Sequence, residues 1–197
     1  MHSFDTATLT HVLRAVHAIR AGEEVTISYL NDELGTCDAR QKELCRRYLF
    51  KCKCKSCQLT GEARMVSDIA RMTIAESAQT AHILQDEAAF RVWLAKGAMP
   101  GPSAHDANGL HPLETAEQLW RAMEQEGCYV PLLWELLLQR LVRGFATQEN
   151  EQAVRHYARK AAELRMAHSG EDGGWLAVAE NPRKTEGWAW RSERRKV

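Results

Sequence analysis

No run of apolar residues in this 197-residue sequence approaches the roughly 18 that a membrane-crossing helix requires. The start, Met1-His2-Ser3-Phe4, lacks an apolar leader segment, so no secretory signal is expected. Net charge is absent too. The chain has 26 Lys and Arg against 26 Asp and Glu, which argues against a uniformly polycationic nucleic-acid binder. Three common catalytic signatures, G-x-S-x-G, the P-loop and H-E-x-x-H, do not occur. There is no clean 34-residue repeat. The six cysteines do not form a disulfide framework; their tight clustering suggests metal in a reducing compartment. Together these absences predict a protein of the nucleus or cytoplasm with no membrane partner.

What remains is ordinary in bulk and uneven in detail. Apolar content of 45% and charged content of 26% suit a globular chain of one or two domains. Residues 40–55 carry seven Lys or Arg against one Glu, and the last fifteen carry six basic groups against two Glu. Such patches can meet nucleic acid or acidic partners. They read more simply as a basic shell around thiolates and a solvated tail.

The chemistry concentrates between Ala18 and Gln58. Cys52, Cys54 and Cys57 form C-x-C-x-x-C, which can bring three thiolates to one ion from a single loop. Zinc accepts such ligands and usually takes four. Cys45, Cys37 or a water are the alternatives for the fourth place. Lys51, Lys53 and Lys55 interleave the thiols, and cationic neighbours favour thiolate. Upstream, Gly22-Glu23-Glu24 reads as a turn, and Val25-Thr26-Ile27-Ser28-Tyr29 as a β-branched strand. Leu9, His11, Leu13, Ala15, His17 and Ile19 alternate, predicting another strand from about Thr8 to Val16. Phe4 ends an earlier one, with Asp5 to Thr8 as the connection. The histidines carry no finger spacing and are assigned to no metal.

At these residues the chain resembles a known family. Arg20-Ala21-Gly22-Glu23-Glu24-Val25-Thr26-Ile27-Ser28-Tyr29 is similar to the closing motif of SET-domain methyltransferases. Tyr48-Leu49-Phe50-Lys51-Cys52-Lys53-Cys54-Lys55-Ser56-Cys57 resembles the post-SET segment that follows it. Arg40 and Leu44 fall on a short helix between the two, and the spacing is similar to that of the SMYD-like branch and its fungal relatives. The resemblance implies roles. Tyr29 matches the tyrosine whose hydroxyl lines the lysine channel, where a fixed oxygen can orient a neutral amine in line with a sulfonium methyl. Phe50 matches an aromatic beside the adenine of S-adenosylmethionine. Cys52, Cys54 and Cys57 match three of four zinc ligands. Read without the family, Tyr29 is a strand tyrosine and Phe50 a core residue.

The family also has an N-H-x-C-x-P-N segment and an earlier Gly-rich element, which supply cofactor contacts and often the fourth zinc cysteine. Neither the N-H-x-C motif nor a MYND finger occurs here. The expectation is therefore the C-terminal part of a SET protein, a truncated and inactive fragment as written, with S-adenosylmethionine bound only if the pocket is complete. Its partner would be a lysine-bearing protein, with histones among the options. The alternative is a non-enzymatic, zinc-containing helical interaction module.

Beyond Leu59-Thr60-Gly61 the pattern turns helical. Met65, Ile69, Met72, Ala75 and Ile83 predict a helix from Glu62 to about Asp86, and Phe90, Val92, Trp93 and Leu94 one from Glu87 to Lys96. The stretch 97–109 is a mobile loop or linker. Pro112 opens a helix that Gly127 ends. Pro131 opens an apolar, buried one that Gly144 closes. A third runs from about Asn150 to His168, with Val154, Tyr157, Ala158, Ala161 and Leu164 inward. This region resembles the TPR-like part of SMYD-like proteins. Trp175 to Ala179 finish a helix or dock on the bundle, and the rest of the tail is loosely ordered. The predicted fold is α+β. A short β remnant of a SET domain and a post-SET cysteine segment (1–58) precede helices and linker (59–110) and a TPR-like bundle with basic tail (111–197).

Overall fold

The computed structural model describes residues 2–6, 8–16, 18–30, 33–79, 87–96 and 112–191. The chain divides into two compact units. One comprises Thr26–Glu87 and Gly109–Leu137, the other Met1–Val25, Ala88–Asn108 and Leu138–Val197. The described residues are mostly helical, with one two-stranded hairpin and a cysteine cluster, so the α+β expectation holds only in that loose sense.

The first unit carries α1 (Cys37–Tyr48), α2 (Lys55–Gln58), α3 (Gly61–Gln79), α5 (Pro112–Glu126) and the beginning of α6 (Pro131–Thr147); α4 (Glu87–Lys96) contributes to the second unit. Thr36 caps α1, its hydroxyl accepting from the Ala39 N–H at 3.3 Å. The Asp68 carboxylate of α3 accepts from the Cys37 N–H at 2.7 Å. Two of the N–H groups that any helix start leaves free are thus satisfied. Leu49 closes the helix in the left-handed conformation, its N–H on the Cys45 carbonyl. α3 packs on α5. The unit buries Leu44, Ile74, Leu113, Ala116, Trp120, Met123, Leu133 and Trp134.

Two expectations fail in this unit. Val25 to Tyr29 form no strand, and Val25, Ile27 and Tyr29 are exposed. Its β-branched residues suit a pleated surface, but no neighbouring strand among the described residues supplies one. The helix predicted from Glu62 exists as α3, yet Met65, Ile69 and Met72 are exposed. The buried positions are Ser67, Arg71 and Ile74. A polar stripe faces inward because its partners are polar too. Ile83 and the end of that predicted helix lie outside the described residues, as does the linker at 97–109.

In the second unit β1 (His2–Asp5) pairs antiparallel with β2 (Thr10–Leu13), in the register His2 to Leu13, Ser3 to Val12, Phe4 to His11 and Asp5 to Thr10. β2 is shorter than the Thr8–Val16 strand predicted, and its supposed apolar face, Leu9, His11 and Leu13, is exposed. His17 lies outside the described residues. The turn at Gly22 is present, with φ +85° and the Glu23 N–H on the Arg20 carbonyl at 3.0 Å. α7 (Glu151–Ser169) starts from the Asn150 cap and buries Val154, Tyr157, Ala158, Ala161 and Leu164, as its spacing predicts. α6 does not stop at Gly144. Phe145, Ala146 and Thr147 extend it, Ala146 and Thr147 fully buried and the Thr147 hydroxyl bonded to the Gly144 carbonyl. The packing of that last turn overrides the helix-breaking tendency of glycine.

α8 (Trp175–Glu180) docks on α7, followed by a single 3₁₀ turn, Pro182–Lys184. Arginines finish two of these helices. Arg155 donates to the Ala179 carbonyl of α8 at 2.8 Å, and Arg191 to the Trp93 and Leu94 carbonyls of α4 at 3.0 and 3.3 Å. Arg191 also lies 4.1 Å from the centre of the Trp93 ring. The described tail, expected to be loose, is thus ordered as far as Arg191.

Candidate metal centre

The cysteine cluster follows from local geometry. Cys52 lies in the stretch between α1 and α2, Cys54 is at the N-cap position of α2, and Cys57 is inside α2. That chain reversal brings the three sulfurs within 4.8 Å of one another. Gln41, projecting from α1, holds Cys52 with both ends of its amide: Nε2 donates to the Cys52 carbonyl at 2.8 Å, and Oε1 accepts from the Cys52 N–H at 3.0 Å. The Cys54 N–H points at the Cys52 sulfur at 3.5 Å.

The donor set fits a zinc ion. With Zn–S bonds of about 2.3 Å, tetrahedral sulfurs stand about 3.8 Å apart, and these three need only a small contraction. Among the described residues the cluster stops at three. Cys37 turns its thiol to the Cys57 carbonyl at 3.8 Å, and Cys45 turns its own to the Phe50 carbonyl at 3.4 Å. All six cysteines are unpaired thiols.

The thiols are not equivalent. Burial pushes the Cys54 thiol up, but the N–H groups of Cys57 and Ser56 and the neighbouring thiols outweigh it, leaving Cys54 below its ordinary value. Cys57 is pushed up to about 12, first by burial and then by its bond and charge interaction with Cys54. The interleaved lysines, expected to set this balance, are exposed. Backbone and thiol donors do it instead.

Beside the cluster lies an open groove of about 270 Å³, with Tyr29, Leu30, Gly35, Arg40, Glu43 and Arg47 in its walls. The Tyr29 ring meets Tyr48 edge-on at 5.2 Å and Phe50 at 5.7 Å. The two aromatic residues singled out from the sequence are therefore neighbours. Tyr29 remains 52% exposed and Phe50 37%, so Phe50 is not the core residue, and Tyr29 not the strand residue, that the family-free reading offered. Arg40 is 5% exposed and stands between groove and thiols. It donates to the Gly35 carbonyl at 2.5 Å, with its other terminal nitrogen 4.0 Å from the Cys57 sulfur.

Sequence reasoning missed the polar network that backs the knuckle. Arg71 donates to Glu126 at 2.7 Å, to the Glu33 carbonyl at 2.5 Å, to the Cys128 sulfur at 3.0 Å and to the Ser56 hydroxyl at 3.2 Å. Ser67 donates to the same Glu126 carboxylate at 2.8 Å. Ser56 sits between two of the clustered cysteines, so this network ties the knuckle to α3 and α5. Burial pushes the Cys128 thiol up, in keeping with an inert role. No sequence motif announces such a hub, and the apolar residues that pattern α3, Met65, Ile69 and Met72, are exposed instead.

A cysteine knuckle beside an aromatic groove is the class of site that these residues define. Comparison with known proteins gives its lineage. The chain is similar to the histone-lysine N-methyltransferase SMYD3 of Mus musculus, 42% identical over 66 residues, a match covering 29% of this chain and 15% of the relative. The Homo sapiens SMYD3 is 41% identical over 66 residues, with the same coverage. The protein SET DOMAIN GROUP 41 of Arabidopsis thaliana is 33% identical over 69 residues, covering 35% of this chain and 12% of the relative. Over that partial region the chain is related to the SET-domain methyltransferase family. The match spans no more than about a sixth of each relative's length. No family model and no solved structure matches.

Proposed function

We infer that this chain carries the closing part of a SET-type protein-lysine methyltransferase, and that Cys52, Cys54 and Cys57 hold a structural zinc ion. The observation that carries the reading is that Arg40 lies between the thiol cluster and the groove lined by Tyr29, whose ring meets Phe50. In this role the three thiolates cross-link the loop after α1 to α2, and their ion adds folding free energy to a short segment with little core of its own. In this reading the hydroxyl of Tyr29, a residue of the groove wall, would orient an incoming amine. The Phe50 ring offers a face to a purine. The substrate would be a lysine-bearing protein, as the SMYD3 name suggests with histone. The helices over 111–197 would form a TPR-like surface for it, in the nucleus or cytoplasm.

S-adenosylmethionine supplies a sulfonium methyl group when bound, but the described residues do not enclose it. The groove of about 270 Å³ lies under the roughly 300–1,000 Å³ of pockets that bury a ligand of that size. The 197-residue polypeptide by itself is expected to be catalytically silent. A second reading, a non-enzymatic zinc-containing interaction module, is favoured by one observation: Val25, Ile27 and Tyr29 remain exposed on a segment that no strand among the described residues pairs.

Calorimetric titration of the purified chain with S-adenosylmethionine, with zinc content assayed on the same sample, decides between them. Micromolar binding would give this chain a working pocket and overturn the expectation of catalytic silence. No binding, with about one zinc per chain, supports the structural role. A zinc-free sample that takes up no zinc on titration removes the metal assignment.

A further inference from the structure

Two arginines are buried in the unit that holds the cysteines, and they are balanced differently. Arg71, 5% exposed, faces the Glu126 carboxylate. Arg40, also 5% exposed, has no carboxylate within ion-pair distance among the described residues. Its contacts are the Gly35 carbonyl and the Cys57 sulfur. A guanidinium does not lose its proton in a protein, and a buried charge without a counter-charge is costly. The Cys57 thiol, when protonated, supplies none.

We propose that Arg40 is the counter-ion of a metal–thiolate cluster formed by Cys52, Cys54 and Cys57. The inference rests on the reading of that cluster as a zinc site, and adds a positioning residue to it. Three thiolates and one divalent cation sum to a single negative charge, which one guanidinium neutralises. The interleaved lysines do not serve, because Lys51, Lys53 and Lys55 are exposed to water, where their charge is screened. Arg40 also fixes the Gly35 carbonyl in the wall of the groove. Metal occupancy and the shape of the groove beside Tyr29 are therefore linked through one side chain. Partners behind the ligands of a metal site commonly set its affinity by about 10- to 100-fold.

The test is zinc affinity of the full chain by competition with a chromogenic chelator, alongside the thiolate charge-transfer band of the cobalt(II) form. Arg40→Met and Arg40→Gln should bind zinc about 10- to 100-fold more weakly than the parent. Arg40→Lys keeps the charge and should lose far less. Arg47→Met, in the groove wall but with no sulfur contact, should match the parent. Parent binding with all Arg40 variants within twofold overturns the counter-ion assignment and leaves the zinc site standing. A parent chain that binds no zinc overturns the zinc site and the assignment with it. Helical circular dichroism is recorded first. If Arg40→Met is unfolded, the ratio between Arg40→Gln and Arg40→Lys decides: a ratio of about five or more is expected from lost charge, and a ratio near one refutes it.

Discussion

The Arg71 guanidinium donates to the Glu126 carboxylate across 2.7 Å, with both side chains nearly excluded from water. This pair joins α3 to the end of α5, and through Ser56 it reaches the cysteine knuckle. Its worth lies less in the attraction than in the penalty for separating the partners. Removing either one leaves a buried charge without compensation. Arg71→Met or Glu126→Gln should each cost about 3–5 kcal/mol. Urea denaturation of both single variants and the double variant measures this. Coupling of less than about 0.5 kcal/mol between the two positions would mean the pair is incidental.

Gln41 grips Cys52 by two hydrogen bonds, and Gln41→Ala removes both. A loss of about 1–3 kcal/mol is expected from bonds worth roughly 0.5–1.5 kcal/mol each. The loss should show as a lower denaturation midpoint and as faster amide exchange at Cys52. Unchanged exchange there would count against the grip.

Glu151, in the first turn of α7, is held below the usual carboxylate range, chiefly by its hydrogen bond from Arg183, with Arg155 adding to it. A depressed folded value means the unfolded chain takes up the proton first as pH falls. The contribution is therefore full above the ordinary carboxylate value of 4.5 and disappears as pH drops through the lower folded value. Stability of the parent should fall more steeply over that acid interval than stability of Glu151→Gln. Both side chains are at the surface, so the difference should shrink in high salt. Parallel pH profiles at low salt would refute the tie.

Gly170 closes α7 at φ +85°, and a Cβ placed there would lie 2.9 Å from an Arg14 nitrogen. Gly170→Ala therefore meets both a left-handed backbone and a guanidinium. The backbone alone costs about 1–2 kcal/mol. Gly174 has a similar φ of +82° but open space around its Cβ position. Thermal denaturation should rank Gly170→Ala below Gly174→Ala, and equal midpoints would discount the Arg14 contact.

The helical half of the fold was readable wherever apolar spacing and caps agreed. Pro112, Pro131 and Asn150 mark their helix starts, and the Ala-rich face of α7 is buried as its spacing requires. The metal candidate was legible because its ligands lie within one short segment. Long-range polar pairing was not. Arg71 and Glu126 are 55 residues apart, and nothing local states that an arginine will turn inward while Met65 and Ile69 turn out. Val25 to Tyr29 failed for a related reason. Strand propensity describes fitness for a sheet, and the sheet must come from elsewhere.

The bond from Arg191 to the Leu94 carbonyl spans 97 residues of chain. During synthesis the end of α4 emerges long before the residue that finishes it. At about 5–20 residues per second, that helix waits on the order of 5–20 seconds on the ribosome for its last hydrogen-bond donor. The packing around Trp93 is thus completed only well after α4 itself is made, and a nascent chain stalled between the two would hold α4 unfinished.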